Sequence, residues 1–467
     1  MKFYLGVLFC CSFLFSAAQD SLRYFNAEQL IQIVKKYHPL VKQASLDIDY
    51  ANADILQARS AFDPILQNYI AKKTFSGSNY YNYTNTELVI PTWYGIEVNT
   101  GLEMLTGNRL DPERTTGRTS YFGVTIPLAK NLVIDKRRAA LQQAKLYVTM
   151  ATTERQVTIN NILYDALQSY WQWVSNYQQL QVINNAVAVN QTRLVMVRKA
   201  YKYGERAAID TVEALAQLQS FQYAQNEQLL NYNNATLQLS MYLWANNNQP
   251  YLLPPTIIPQ PGWQSEVNIA AQQLSLPALL QSARAIHPEL RIYNNKLSIL
   301  EIDRKLKFQE LLPKLDFTYN QLGKGYNLLK TATAGPLFDN NFQYGLKFAV
   351  PLRLSGGRAS YSQAKLKIQQ TTLEQNQKTQ LIELKVKSYY NELITLQQQL
   401  ILQANNLANY NRLVRAEEIR FENGESSLFL INIRENKALE AQQKLVELQA
   451  KYYKSIYALQ WAAGLLQ

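Results

Sequence analysis

The chain has 467 residues, 47% of them hydrophobic, and carries a net charge of +12 from 47 Lys and Arg against 35 Asp and Glu. That hydrophobic share excludes a disordered chain. The cations are scattered rather than gathered into the stripe that phosphate contacts need, which argues against nucleic acid as a partner.

The N-terminus predicts export. Lys2, an apolar run from Phe3 to Phe15 and the small residues Ser16, Ala17 and Ala18 have the layout of a secretory signal over residues 1–18. The run is too short to span about 30 Å of hydrocarbon. Cys10 and Cys11, the only cysteines, fall inside it, and neither has the small-residue approach that lipid anchoring uses. The exported chain would therefore hold no disulfide, thiolate ligand or Cys nucleophile. No later run of about 18 apolar residues occurs, so a membrane, if met, is met by strands.

Two repeats follow. His38-Pro39 and His287-Pro288 contain the only two histidines and stand 249 residues apart; the same offset relates Asp54 to Asp303 and Pro64 to Pro313. Further on, RAALQQAKL (138–146) answers RASYSQAKL (358–366) at an offset of 220, which also relates Gly204-Glu205 to Gly424-Glu425 and Tyr232 to Tyr452. The first copy thus has 29 extra residues between Pro64 and Arg138. The expected organisation is a first repeat over 19–245, a Pro- and Asn-rich linker over 246–275, and a second repeat over 276–467.

The middle of each repeat reads as strands. In the first copy the region is about 65–128. Tyr94, Ile96, Val98, Thr100 and Leu102 alternate with Gly95, Glu97, Asn99 and Gly101, and Phe122, Val124, Ile126 and Leu128 follow after the polar loop TGNRLDPERTTGR. In the second copy, about 314–352, Leu315, Phe317 and Tyr319 alternate with polar residues, as do Phe342, Tyr344, Leu346, Phe348 and Val350. Aromatic strands of about ten residues with a period of two have the pattern of membrane β-hairpins, although a soluble hairpin domain shares it. Strand-like residues at 65–75 and 84–90 read as an accessory hairpin or a strand extension. One chain has too few strands to close a barrel, and an open edge in lipid leaves backbone groups unsatisfied, so several copies must close one together.

The rest of each repeat is helical. Ile159, Leu163, Ala166, Tyr170, Trp173, Tyr177 and Leu180 step by four and three, and Ile382, Val386, Tyr389, Leu393, Leu396 and Leu400 do the same. That spacing is a coiled-coil seam. A second apolar row (Ile162, Leu167, Trp171, Val174) predicts packing on two neighbours, as in a closed barrel of helices. Gly204 and Gly424 end the long helices, as a left-handed cap residue does, and a helix of about 40 residues returns from each tip.

With these residues in place, the chain resembles the TolC family of outer-membrane efflux and secretion channels. The carriers are HPELR (287–291), the strand-to-helix junction VPLRLSGGRASYSQAKL (350–366) and the tips at YGE and NGE, each followed by a returning helix. The resemblance covers nearly the whole exported chain. It implies a mainly α fold with membrane β, a homotrimer whose duplicated helical hairpins form an α-barrel tunnel, and a shared twelve-stranded outer-membrane β-barrel. It further implies a long periplasmic extension and, as partners, a periplasmic adaptor and an inner-membrane pump of RND or ABC type, besides outer-membrane lipid. The function implied is passive conduction in a tripartite efflux or type I secretion system. Gly204, Glu205, Gly424 and Glu425 would be the docking tips. Family tunnels often narrow at acids six and nine positions after the tip glycine. Here those positions are Asp210 and Glu213 in the first copy but Leu430 and Ile433 in the second.

No HExxH, GxSxG or phosphate-loop motif occurs, so no enzyme, cofactor or resident metal is expected. The histidines, each before a Pro, read as helix starts. The rival reading is a periplasmic coiled-coil adaptor or scaffold without a membrane barrel. The cargo is not legible in a Gln- and Asn-lined tunnel.

Overall fold

A computed structural model describes residues 23–110, 113–263 and 275–466. The expected signal at 1–18 and residues 264–274 of the expected linker lie outside the described residues. The chain divides into two units, one of residues 1–38, 162–274 and 389–458, the other of residues 39–161, 275–388 and 459–467. Among the described residues no helix is long and apolar enough to cross a membrane.

The two long helices are those that the periodicity predicts. α1 (Ala27–Tyr37) and α2 (Pro39–Ser60) meet at His38, and α5 (Leu276–Ile286) and α6 (Pro288–Phe308) meet at His287. Both histidines hold extended backbone, φ −64° and ψ 131° at His38, φ −57° and ψ 125° at His287. The cause is local: Pro excludes the helical region from the residue before it and is welcome at the first helical position. The long helices are α3 (Lys136–Lys202) and α8 (Ser355–Glu422), with returning helices α4 (Ala208–Ser240) and α9 (Leu428–Ala462). Asp135 starts α3, accepting from the Arg138 backbone N–H at 2.8 Å.

In the first-named unit, both apolar rows of α3 are used. Leu163, Ala166, Tyr170 and Trp173 are buried, and so are Ile162, Leu167, Trp171 and Val174. Tyr170 and Trp173 pack edge-on against Phe25, and Tyr170 Oη donates to the Phe25 carbonyl at 3.0 Å. Trp171 stacks on Tyr453 with ring centres 4.2 Å apart. Phe25 ends β1 (Arg23–Phe25), which pairs in parallel with β6 (Ile257–Pro259). Part of the expected linker is therefore a strand that fixes the chain's first described residues.

The second unit carries one antiparallel six-stranded sheet in the order β2-β3-β4-β5-β7-β8. The strands are β2 (Ile65–Phe75), β3 (Ser78–Pro91), β4 (Glu97–Thr106), β5 (Gly117–Pro127), β7 (Lys314–Lys324) and β8 (Phe342–Ala349). Residues 65–75 and 84–90, expected as an accessory hairpin or a strand extension, form a hairpin that continues the sheet, β3 pairing with β4 from Asn82–Thr106 to Pro91–Glu97. One expectation needs correcting: Tyr94 and Ile96 do not begin β4; they lie in a turn closed by Thr92, whose N–H and hydroxyl both donate to the Ile96 carbonyl at 2.9 and 2.7 Å.

The ladders sort side chains as the alternation predicts, because partners share a face. One face carries Val98, Leu102, Phe122, Val124, Phe317, Tyr319, Tyr344, Leu346 and Phe348; the other carries Glu87, Asn99, Glu103, Thr125, Thr318, Asn320 and Gln343. A short helix, α7 (Leu328–Ala332), lies on the apolar face, where the Thr331 hydroxyl bonds that of Ser120 at 2.8 Å. On the other face the Arg114 guanidinium lies 4.0 Å from the centre of the Tyr83 ring.

The chain's C-terminal end is tied to α3 in this unit. Asn160 Nδ2 donates to the Trp461 carbonyl at 3.1 Å, and Trp461 Nε1 donates to Asn161 Oδ1 at 2.8 Å.

Candidate functional site: the paired helix tips

Both tips close in the same way. Gly204 and Gly424 have φ of +76° and +79°, a region that side chains with a Cβ rarely adopt. Glu205 N–H reaches back to the Ala200 carbonyl and Gly204 N–H to that of Tyr201, each at 3.0 Å. Glu425 N–H to Arg420 (2.8 Å) and Gly424 N–H to Phe421 (3.1 Å) repeat it. This paired bonding is a Schellman cap, which satisfies carbonyls that the helix end leaves free. Glu205 and Glu425 are exposed, as docking residues would have to be.

Below the tips Leu180, Ile183, Val187, Leu194 and Val197 of α3 pack with Ala214, Leu218 and Phe221 of α4 and with Leu428 of α9. Around that apolar seam the two hairpins are joined by polar contacts. Arg193 of α3 grips Glu435 of α9 through both guanidinium NH2 groups and both carboxylate oxygens, with Glu418 of α8 3.7 Å away. Arg206, between α3 and α4, donates to the Phe421 carbonyl of α8 at 3.1 Å and lies 3.8 Å from the centre of its ring. Glu417 of α8, 6% exposed, accepts from the Ser426 hydroxyl at 2.6 Å and lies near Arg420 and Arg434.

The acids expected at the constriction are both partly buried and differ in their surroundings. Asp210 stands in the first turn of α4, where the helix dipole favours an acid. Glu213 Oε1 accepts from Asn432 Nδ2 of α9 at 3.3 Å, and one turn on Gln217 Nε2 donates to Asn436 Oδ1 at 2.7 Å. Glu213 therefore serves the contact between hairpins within one chain.

Sequence reasoning missed Arg193, Arg206, Glu417 and Glu435. A signal was present in the repeat offset of 220, which matches Arg193 to Leu413, Glu435 to Leu215, Arg206 to Ser426 and Glu417 to Val197. Also missed was the exposed apolar set at the tips, where Tyr203 is 81%, Ile209 66% and Phe429 60% exposed.

The histidines have a structural part. His287 Nδ1 accepts the Glu289 backbone N–H at 3.2 Å and so caps α6, and burial lowers its pKa. His38 is also buried, which lowers its pKa, and it stacks near Tyr242. Among the described residues no cluster of His, Cys, Asp or Glu is placed to hold a metal ion.

Duplicated helical hairpins with matched tips, joined in one chain to a sheet with one apolar face, define the fold class of outer-membrane channel protomers. Solved structures agree. The Campylobacter jejuni CmeC outer membrane channel is 16% identical with a TM-score of 0.62, covering 94% of this chain and 85% of its own. VceC of Vibrio cholerae is 14% identical at 0.64 (94% and 96%), and the open state of Neisseria gonorrhoeae MtrE is 13% identical at 0.63 (94% and 89%). These identities speak for the fold. No curated protein matches by sequence. Residues 279–465, nearly the whole second repeat, match the family model described as outer membrane efflux protein. By that match the second repeat is similar to outer membrane efflux proteins.

Proposed function

We propose that this chain is the exit duct of a tripartite efflux or type I secretion system, conducting substrates passively from an inner-membrane pump of RND or ABC type. Three copies would share one barrel, twelve-stranded if only the two hairpins expected from the sequence enter it. The observation that carries this reading is the sheet itself. One face is apolar, and its edge strands β2 and β8 are exposed almost throughout, an arrangement that only lipid and neighbouring strands satisfy. The tips would dock a periplasmic adaptor through Gly204, Glu205, Gly424 and Glu425, with Tyr203, Ile209 and Phe429 as apolar anchors. Opening requires the hairpins to part, and Arg193–Glu435 is a contact that parting would break.

The test is extraction and conductance. A channel is released from outer membranes only by detergent, runs as a heat-modifiable trimer and conducts in planar bilayers. Release by osmotic shock as a soluble protein would instead establish the periplasmic scaffold. In a trimer, three Asp210 and three Glu213 near the tips would favour cations. Asp210→Ala with Glu213→Ala should lower cation preference, and unchanged conductance and preference would remove these acids from the pathway.

A further inference from the structure

Edges β2 and β8 have little to blunt them: Lys72, Lys73 and the bulge after Lys73 lie toward the far end of β2, and Lys347 lies on the polar face of β8. Ile65, Leu66, Tyr69 and Ile70 on β2 are 56–72% exposed, and Tyr344, Leu346 and Phe348 on β8 are 61–64% exposed. Natural edges are shortened, charged or covered, because unpaired N–H and C=O groups template further pairing. Within a bilayer no water replaces the missing partners. Resting on the shared-barrel reading above, we infer that β8 of one copy pairs antiparallel with β2 of the next, so that three copies close an eighteen-stranded barrel, six strands from each.

Three steps fix the register. First, the ladders keep side-chain parity from Ile65 through Lys73, beyond which β2 has a bulge. In β2–β3, Leu66 shares a face with Leu88 and Ile70 with Thr84, and β3–β4 places Leu88 and Thr84 with Thr100 and Met104 on the apolar side. Leu66 and Ile70 must therefore lie beside Phe348 and Tyr344 rather than Lys347 and Gly345. Second, aligning the two strands at their common end sets Ala349 against Ile65, hence Phe348 against Leu66 and Tyr344 against Ile70.

Third, that alignment sets Gly345 opposite Tyr69 on the polar face. A Cβ on Gly345 would meet nothing within 4 Å in the single chain, and Tyr69 is 61% exposed. The sheet already contains such a pair. Gly101 faces Tyr121, whose ring lies so close that a Cβ on Gly101 would come within 2.5 Å of it. An aromatic ring laid over a facing glycine is a recognised way to pin strand register.

The geometry closes. Across the sheet Ile65 leads through Val89, Asn99, Gly123 and Asn320 to Gln343. In the inferred register Gln343 meets Ala71 of the next copy, six residues further along β2. Three copies accumulate a stagger of eighteen over eighteen strands. Equal stagger and strand number gives a tilt of about 36° in eight-stranded barrels, and the same ratio gives the same tilt here, inside the range of about 35–45° for membrane barrels. With strands about 4.8 Å apart, the backbone diameter is about 34 Å, against about 23 Å for twelve strands at that tilt. Polar residues on the apolar face of β2–β3 are accommodated, since the Thr86 hydroxyl donates to Asn68 Oδ1 at 3.1 Å. Lys72 and Asn82 sit toward the hairpin turn, where headgroups are within reach.

The experiment is disulfide trapping of the full chain in native outer membranes; Cys10 and Cys11 are its only natural cysteines. Ile70→Cys with Tyr344→Cys should convert most of the protein to a covalent trimer that thiol reduction returns to monomer. Leu102→Cys with Tyr344→Cys, the pair a twelve-stranded closure would join, should not cross-link. Cross-linking of the second pair without the first overturns the eighteen-stranded barrel and leaves the shared-barrel reading standing. No cross-link from either pair, in protein that remains membrane-bound, overturns both. Single variants guard against misfolding: Ile70→Cys should resist a water-soluble maleimide while Tyr69→Cys reacts. Equal labelling of the two places β2 outside the barrel wall.

Discussion

Removing Arg193 should loosen the two hairpins from each other. The Arg193 and Glu435 side chains keep 15% and 13% of their exposure. Both ends of each group are used in the pairing, which makes it bidentate and charge-assisted. Breaking a fully buried pair from one side costs about 3–5 kcal/mol, whereas an exposed pair is worth about 0–1 kcal/mol. With roughly one-seventh of each side chain still in water, about 2–3 kcal/mol is expected for Arg193→Leu. Glu435 would be left with only Arg193's former neighbours for company. Replacing both partners removes the stranded charge, so Arg193→Leu with Glu435→Leu should recover most of the loss. Leu is the natural choice because the equivalent positions in the other copy, 413 and 215, are both Leu.

The assay is amide hydrogen exchange in the hairpins, which reads local opening without requiring the whole chain to unfold in one step. At about 1.4 kcal/mol per factor of ten, Arg193→Leu and Glu435→Leu alone should each speed exchange below the tips about 30- to 150-fold. The double variant should lie within about tenfold of wild type. If the channel opens by parting these hairpins, bilayer conductance should rise in the same order. Single variants that exchange within about threefold of wild type would refute the locking role. A double variant as loose as the product of the singles would show that the two residues do not act as a pair.

Gly204→Ala and Gly424→Ala should each cost about 1–2 kcal/mol of local stability, because the space is open and only the left-handed backbone resists; Asn at either position should cost less, and exchange at the tip amides distinguishes them. Gly464→Ala should be costlier, since a Cβ there would come within 2.7 Å of Pro288 Cδ at a φ of +72°; thermal inactivation of the detergent-purified protein measures it. His287 must be neutral to cap α6. Burial is the main cause of its lowered pKa, with Lys378 and Lys385 acting in the same direction and Glu289 opposing. The unfolded chain therefore binds the proton more readily, so stability is full above about pH 6.5 and is lost as pH falls through the lower folded value. His287→Asn keeps an acceptor at the cap, and its thermal midpoint should fall less than that of wild type on acidification from pH 7 to 5.

Much of this protein is legible in its sequence where a rule acts within a few residues. Pro39 and Pro288 each force a break at the preceding histidine, and glycine at 204 and 424 is the residue that a Schellman cap asks for. The alternation in Phe342–Phe348 is clean because that strand has one apolar face and one polar face. β2 was harder for the same reason turned round. Its apolar-side row runs Leu66, Asn68, Ile70, Lys72, so periodicity alone cannot seat it, and only the ladder to β3 makes it a full member of the sheet. α7 and the placement of Arg114 over Tyr83 are tertiary choices of loops, with no period to betray them.

The tips show why one repeat helped and hid at once. A residue needed by its own backbone, such as the histidine before Pro or the glycine at a cap, is needed equally in both copies and stays the same in both. A residue that touches the other copy is under no such demand. Arg193 pairs with Glu435, two non-equivalent positions whose counterparts, 413 and 215, are both Leu, so a single charged pair joins the halves where the repeat would allow two. In this chain, then, positions where the repeats agree mark the joints of the fold, and charged positions where they disagree mark the surfaces by which one half holds the other.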